Sequence, residues 1–272
     1  MITRRFVFAL AFAATLSAQT FIQMSDTQFG MFTKNAGFAQ ETDNFEFAVA
    51  TANRLKPAFV VVTGDLVNQG GNAAQTAEYR RIAGKLDPKI HLYQMPGNHD
   101  VENEPTPASL ALYRKSFGPD YYSFREGDIT GLVLNSSLEK APQNVREDAA
   151  NMESWLRAEL ARARQSGAKR LIVFQHIPFF IANADEPDSY DNIPRETRQR
   201  YLKLLHEYGV RQVFSGHYHA NAGGMDGDLE MVTSGPVGMP LKGGKSGIRM
   251  VTVTAAKVTH KYYDFGELPQ LP

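Results

Sequence analysis

The sequence has 272 residues, with 29 Lys and Arg, 29 Asp and Glu, seven His and no Cys. Its 43% hydrophobic and 21% charged residues are typical of a globular chain, and its formal net charge of zero argues against a protein that binds nucleic acid by neutralising phosphates. Because Cys is missing, disulfides, thiolate metal sites and cysteine catalysis are excluded, and any metal must be bound by His, Asp, Glu, Asn or Gln.

The first 18 residues have the features of a secretory signal peptide. Arg4 and Arg5 precede an apolar run over residues 6–16, and a small-residue cleavage pattern ends at Ala18. The run has about eleven residues, fewer than the roughly 20 that span a bilayer. A buried first helix or an uncleaved anchor is the alternative interpretation of this segment. We expect export to the periplasm or the medium, a mature chain from about Gln19, and no transmembrane anchor after processing. This segment contains two basic residues and no acid, so the mature chain has a formal net charge of −2.

Short apolar or aromatic runs then alternate with helical patterns. Continuous apolar runs of this length are typical of strands that are buried on both faces. The predicted strands are residues 20–24, 59–63, 91–95, 171–175 and 211–215. The predicted helices are residues 45–55, 75–86, 108–117, 148–165 and 195–208. Alternation of strand and helix indicates an α/β fold.

A second set of predicted strands is joined by short turns that are rich in Gly or charged residues. These strands are residues 121–125, 132–135, 229–233, 249–254 and 258–263. Short turns between such runs favour antiparallel hairpins. The prediction is therefore α/β (α+β), with two sheets and flanking helices packed as one domain over residues 19–272.

Metal-ligand side chains follow each strand of the first set, at the edge where α/β sheets bind ligands. The donors are Asp26, Gln28, Asp65, Asn98, His99, His176, His217 and His219. Imidazole, carboxyl and amide donors without sulfur suit Mn, Fe or Zn. Eight donors exceed what one ion needs, but two ions roughly 3.5–4 Å apart, bridged by a carboxylate, would use them. Gly64, Gly97 and Gly216 are expected to allow the sharp turns that direct these side chains inward.

These motifs resemble, in the same order, those of the calcineurin-like metallophosphoesterase superfamily. Its pattern is D-x-H, G-D, G-N-H-[DE], a lone His and G-H-x-H. The chain has Asp26-Thr27-Gln28, Gly64-Asp65, Gly97-Asn98-His99-Asp100, His176 and Gly216-His217-Tyr218-His219. Residues 26–30, 172–178, 213–224 and 258–263 are also similar to one branch of the superfamily. It is the calcineurin-like phosphoesterase domain (complete S-transactivated protein) branch, which is described as metal-dependent protein Ser/Thr phosphatases.

The resemblance implies a four-layer α/β/β/α sandwich of two mixed sheets flanked by helices, and a centre with two divalent metal ions. The implied ligands of the first metal are Asp26, Asp65, His219 and, more weakly, Gln28. The implied ligands of the second are Asp65, Asn98, His176 and His217, so that Asp65 bridges. It further implies that a metal-activated water or hydroxide attacks phosphorus. His99 would then lie near the leaving oxygen as a general acid or charge stabiliser, and Asp100 would orient His99.

Gln28 stands where the superfamily pattern usually has His, although the similar branch shares this Gln. An amide oxygen is a weaker donor than imidazole, so we expect weaker occupancy of the first metal site. The favoured function is phosphoester hydrolysis, with a phosphomonoester as the substrate. A phosphodiesterase, a nucleotidase, or a non-catalytic metal-binding scaffold is the alternative.

An acidic segment follows His176 and is expected to lie at the mouth of the site. Its acids are Asp185, Glu186, Asp188 and Asp191, with no base among them. Four acids at the mouth should repel polyanions such as nucleoside triphosphates and nucleic acid; a solvated surface loop is the alternative interpretation. Asn221, close to His219 in sequence, is a further candidate for the rim.

Overall fold

The computed structural model describes residues 18–268 of the chain. The predicted signal peptide therefore lies outside the described residues, apart from Ala18. Within residues 18–268, no helix is long and apolar enough to cross a membrane.

Strands and helices alternate over most of this range. The strands are β1 (Gln19–Met24), β2 (Phe59–Thr63), β3 (His91–Met95), β4 (Tyr122–Glu126), β5 (Ile129–Val133), β6 (Arg170–Phe174), β7 (Gln212–Ser215), β8 (Ala222–Asp226), β9 (Leu229–Thr233), β10 (Gly247–Val253) and β11 (Val258–Asp264). The helices are α1 (Ala39–Leu55), α2 (Ala73–Ala83), α3 (Asn98–Val101), α4 (Pro107–Phe117), α5 (Ser136–Lys140), α6 (Arg146–Gln165) and α7 (Arg195–Glu207).

The strands form two mixed sheets. The first has the order β11-β10-β1-β2-β3, in which β1, β2 and β3 are parallel and β10 is antiparallel to β1. The second has the order β4-β5-β6-β7-β9-β8, with β5, β6, β7 and β9 parallel and an antiparallel strand at each edge. The predicted pair of mixed sheets is confirmed.

The expectation of hairpin pairing throughout the second strand set is wrong in part. β9 does form a hairpin with β8, but its other edge pairs in parallel with β7. β5 likewise lies parallel to β6. Strand β8 was not predicted, because its segment AGGMD contains two glycines and has little strand propensity.

Alternate residues of the central strands supply two separate layers of core. The Phe21 ring lies between the sheets, 5.7 Å from the ring of Phe174 and 5.5 Å from that of Phe214. Its neighbour Ile22 faces the other way and joins a cluster that includes Phe45 and residues of the other helices. A sheet-to-sheet core with helices on both outer faces gives the predicted four layers.

This architecture also determines where the strands that precede the predicted ligands end. The parallel register of β1, β2 and β3 brings their carboxyl ends to one edge of the first sheet. β6 and β7 end together in the second sheet in the same way. The loops that carry the predicted ligands leave from these five strand ends.

Candidate metal centre

The structure brings most of the predicted metal ligands into two groups that share one residue. Ligand atoms of Asp65, His176 and His217 lie within 4.8 Å of one another, and so do those of Asp26, Asp65 and His219. All five side chains are buried. The shared residue is Asp65, which follows β2 at the centre of the edge.

The imidazole rings in these groups are oriented by backbone carbonyls. The contacts are His176 Nδ1 to Thr63 O at 2.8 Å, His219 Nδ1 to Met239 O at 2.5 Å, and His217 Nε2 to Tyr190 O at 3.2 Å. The second nitrogen of His176 then lies 3.2 Å from Asp65 Oδ2, and that of His219 lies 3.4 Å from Asp26 Oδ1. Anchoring one ring nitrogen fixes the tautomer and presents the other to a metal.

The backbone at the site is held in an unusual conformation. Nine non-glycine residues of the described range have positive φ, and five of them are predicted ligands. Those five are Asp26, Gln28, Asp65, His217 and His219. Left-handed backbone is uncommon for residues other than glycine, and such conformations cluster at functional sites.

The glycines of the motifs serve two different purposes. Gly64 has φ of +81°, so it provides the expected turn. At Gly97 and Gly216 the reason is space, because a Cβ there would overlap the Asp65 carboxylate or the side chains of Ser25 and Asp26. The expectation of a conformational role is therefore corrected for these two positions.

Burial and mutual interactions set the protonation of the site. Burial raises the pKa of Asp26. Burial also opposes ionisation of Asp65, but the charges of His176 and His99 outweigh it and hold the pKa of Asp65 well below its usual range. Burial acts against the charge on His176, yet Asp65 raises the pKa of His176 to about 9, whereas burial and the His176 charge lower the pKa of His217 to about 3.

Two amide side chains complete the donor set. Gln28 is fully buried, and its Oε1 has no hydrogen-bond partner among the described residues, while Nε2 donates to Asn68 Oδ1 at 3.3 Å. Asn98 turns Oδ1 towards His176 Nε2 at 3.1 Å. A buried amide oxygen without a partner is costly unless something else binds it. Together with the paired carboxylates, these oxygens fit two divalent cations.

His99 lies at the edge of this cluster and belongs to neither group of three. Its backbone N–H donates to Asp65 Oδ1 at 2.9 Å, and its Nδ1 lies 3.0 Å from Asn68 O. The ring is thus oriented by a carbonyl and leaves Nε2 available to a substrate.

Asp100 does not orient His99, and that prediction is wrong. Its carboxylate accepts three backbone N–H groups, from Gly97 at 2.8 Å and from Leu66 and Val67 at 3.0 Å each. These bonds tie the loop after β2 to the loop after β3. Asp100 therefore supports the backbone that carries Asp65, and burial together with the Asp65 charge raises the pKa of Asp100 to about 7.

The acids of the segment between β6 and α7 are paired within the fold. Asp185 forms an ion pair with Arg195 at 2.9 Å, Asp191 lies 3.4 Å from Lys242, and Asp188 accepts the backbone N–H of Arg195. The Glu186 carboxylate accepts three backbone N–H groups of its own loop. Arg195 and Lys242, which lie outside the segment, offset two of the four charges, and backbone N–H groups hold Glu186 and Asp188. The basis for a polyanion-repelling mouth is therefore weaker than expected.

Asn221 also has a different role from that expected. Its Oδ1 accepts hydrogen bonds from Gly235 N at 3.1 Å and from the Arg249 guanidinium at 2.5 Å. The side chain therefore joins the loop after β9 to β10.

Two residues that support the site are not among the predicted ones. Tyr190 contacts Asn98 through its hydroxyl and His217 through its carbonyl, and Asn68 contacts both His99 and Gln28. Asn68 lies three residues after Asp65, and that spacing is a usable signal. Tyr190 is more than 25 residues from His217, so no local pattern indicates it.

Comparisons with known proteins agree with this site. The family model described as calcineurin-like phosphoesterase matches residues 19–221. The chain is 38% identical over 265 residues to serine/threonine-protein phosphatase CPPED1 of Bos taurus, covering 92% of this chain and 85% of that protein. The Homo sapiens protein of the same name is 37% identical over 266 residues, with the same coverage.

A solved structure is similar in fold. The dimetal phosphatase from Danio rerio has a TM-score of 0.62 at 15% sequence identity, covering 90% of this chain and 99% of that one. The family match spans most of the chain and the sequence relatives cover nearly all of it. The chain therefore belongs to the calcineurin-like phosphoesterase family and is a metal-dependent phosphoester hydrolase.

Proposed function

We propose that this chain is a phosphomonoesterase with two divalent cations in the site described above. The observation that carries the proposal is the position of Asp65, which is common to both groups of ligand atoms. Asp26, Gln28, Asp65 and His219 would hold one cation, and Asp65, Asn98, His176 and His217 the other. When bound, two cations lower the pKa of water and offset the charge of the phosphoryl group. The donor set suits Mn, Fe or Zn.

The protein's own contribution to proton transfer comes from His99. Its Nδ1 is held by the Asn68 carbonyl at 3.0 Å, so that Nε2 is the atom that can hold a proton for the leaving oxygen. The ring is partly exposed, unlike the buried imidazoles of the ligand groups. This position suits a group that meets the substrate.

Phosphoserine and phosphothreonine are the proposed class of phosphomonoester. The support is the similarity over 92% of the chain to proteins named serine/threonine-protein phosphatases. An alkyl leaving group needs protonation as the ester bond breaks, and His99 is placed to supply it.

Export through residues 1–18 is also proposed. Arg4, Arg5 and the apolar run support it, and β1 begins at Gln19, so cleavage after Ala18 would leave every described strand intact. Expression of the full chain with N-terminal sequencing of the exported product tests this proposal. A product that retains residue 1 and stays in the cytosol would contradict it.

The phosphomonoesterase proposal is tested with metal-depleted protein that is reloaded with Mn, Fe or Zn. Activity on p-nitrophenyl phosphate and on a phosphoserine peptide is expected to exceed activity on bis(p-nitrophenyl) phosphate. Asp65→Asn should abolish the activity, whereas Asp128→Asn should not. Asp128 is the control because it lies in the partly exposed turn between β4 and β5. Faster diester hydrolysis would favour a phosphodiesterase, and no turnover with any metal would favour the scaffold.

A further inference from the structure

Tyr190 contacts two of the proposed ligands of the second cation at once. It lies in the loop between β6 and α7, and its carbonyl oxygen lies 3.2 Å from His217 Nε2. Its hydroxyl oxygen lies 3.0 Å from Asn98 Nδ2. The ring centroid is 4.9 Å from that of His217. Although these contacts are internal, Tyr190 is 57% exposed, so it lies where the site opens to solvent.

The Tyr190 hydroxyl is only weakly engaged as a hydrogen-bond donor. A phenol hydroxyl has one proton to donate and also accepts. Asn98 Nδ2 donates to it, which occupies an acceptor position. The described acceptor for its own proton is Asn103 Oδ1 at 3.4 Å, a long contact, and that oxygen already accepts from Asn98 Nδ2 at 2.9 Å. A bound molecule could therefore take over the phenol proton at the expense of one long contact.

The loop is braced on both sides of this residue. Lys140 Nζ donates to the carbonyl oxygens of Ser189 at 2.5 Å and Asn192 at 2.6 Å. The next residue, Asp191, pairs with Lys242. A loop fixed in this way loses little freedom on binding, which favours a recognition role for the side chain that it carries.

We propose that Tyr190 is a substrate-contact residue whose hydroxyl donates a hydrogen bond to a phosphoryl oxygen of an ester that is bound beside Asn98 and His217. This rests on the proposed function, since it places the phosphoryl group at the proposed second cation. The ring against His217 forms one wall of the opening. The contact is distinct from metal binding, because neither oxygen of Tyr190 is in the proposed ligand set.

The test compares Tyr190→Phe with the wild type by calorimetric titration of orthophosphate into Mn-loaded protein. The substitution keeps the ring and the backbone carbonyl and removes only the hydroxyl. Loss of a hydrogen bond to a charged group should raise the phosphate Kd by about 10- to 100-fold. The Mn Kd, measured separately on metal-depleted protein, should stay within about two-fold.

Tyr208→Phe is the matched control. Tyr208 follows α7 at the opposite end of β7 from His217, and its ring lies under the Arg164 guanidinium at 4.1 Å. Its hydroxyl deletion should leave the phosphate Kd unchanged. On p-nitrophenyl phosphate, Tyr190→Phe should lower kcat/KM by the same factor as it weakens phosphate binding.

The outcomes separate this proposal from the function on which it rests. Wild-type protein that binds phosphate but hydrolyses no ester would contradict the proposed function, and the phosphate titration would still decide the role of Tyr190. An unchanged phosphate Kd in Tyr190→Phe, or wild-type protein that binds no phosphate, would overturn the contact. A parallel loss of Mn affinity would overturn it too, because Tyr190 would then act through Asn98.

Discussion

Asp65 Oδ2 lies 3.2 Å from His176 Nε2, although the two residues follow strands of different sheets. This contact closes the site across the sandwich. The other Asp65 oxygen accepts the backbone N–H of His99 at 2.9 Å. One carboxylate thus links the loops after β2, β3 and β6, and its removal should affect both proposed cation positions.

Asp65→Asn is expected to remove measurable metal binding at both proposed cation positions. Asp26→Asn should leave metal binding at one of them. Loss of a residue that merely orients a ligand reduces metal affinity about 10- to 100-fold, and loss of a shared ligand should exceed that. Metal content after dialysis against Mn or Zn measures the difference. Equal stoichiometry in the two variants would contradict a bridging Asp65.

Gln28→His should raise the affinity of one cation position by about 10-fold or more. The Oε1 atom of Gln28 is buried without a described partner, and imidazole is a stronger donor than an amide oxygen. Competition titration with a chelating dye gives the two affinities separately. An unchanged affinity together with an unchanged stoichiometry would show that Gln28 does not face a metal.

His99→Gln should lower kcat by roughly 10²–10⁴-fold with little change in metal content. The defect should be larger on phosphoserine peptides than on p-nitrophenyl phosphate, because p-nitrophenolate leaves without protonation. Comparison of kcat for the two substrates provides the measurement. An equal loss on both would favour charge stabilisation by His99 over proton donation.

Asp100→Asn should act on stability instead of on proton transfer. The Asp100 carboxylate accepts three buried backbone N–H groups through its two oxygens, whereas an amide has a single acceptor oxygen and would turn an NH2 donor towards at least one of them. The free energy of unfolding should fall by about 2–4 kcal/mol. Urea denaturation of metal-depleted protein measures it. If Asp100→Asn has the stability of the wild type but shows the kinetic defect expected of His99→Gln, then Asp100 orients His99 after all.

Glu139 should make stability depend on pH. Burial raises the pKa of Glu139 well above its ordinary value, with the charge of Arg200 acting in the other direction, and neither carboxyl oxygen has a described partner. The folded state therefore keeps a proton that the unfolded chain releases near pH 4.5. Above that pH the unfolded state binds fewer protons, so the free energy of unfolding falls by up to about 1.4 kcal/mol per pH unit, until the folded pKa is reached.

Glu139→Gln should remove this slope. Relative to the wild type it should be equally stable at pH 4 and increasingly more stable between pH 5 and pH 7, as measured by urea unfolding. Glu147→Gln, at an exposed position in the first turn of α6, is the control and should leave the slope in place. A variant whose advantage is the same at every pH would contradict a protonated Glu139.

The order of motifs and strands determined the fold class and the donor set. β2 and β3 were predicted with their observed bounds, and β1 to within one residue. These features are local, because a buried parallel strand must be apolar, and a donor that follows it must reach the carboxyl edge. The amino-acid sequence therefore determined that Asp26, Asp65 and the motif histidines His176, His217 and His219 meet at one edge.

Only the tertiary structure decided which atoms face one another and which charges have an opposite charge beside them. The carbonyls that orient His176 and His217 lie 113 and 27 residues away, and the bases that offset the acidic loop come from α7 and from the loop before β10. Tyr190 reaches Asn98 across 92 residues of sequence. Such contacts arise from how the loops of two sheets pack together, so the periodicity of any one segment carries no information about them.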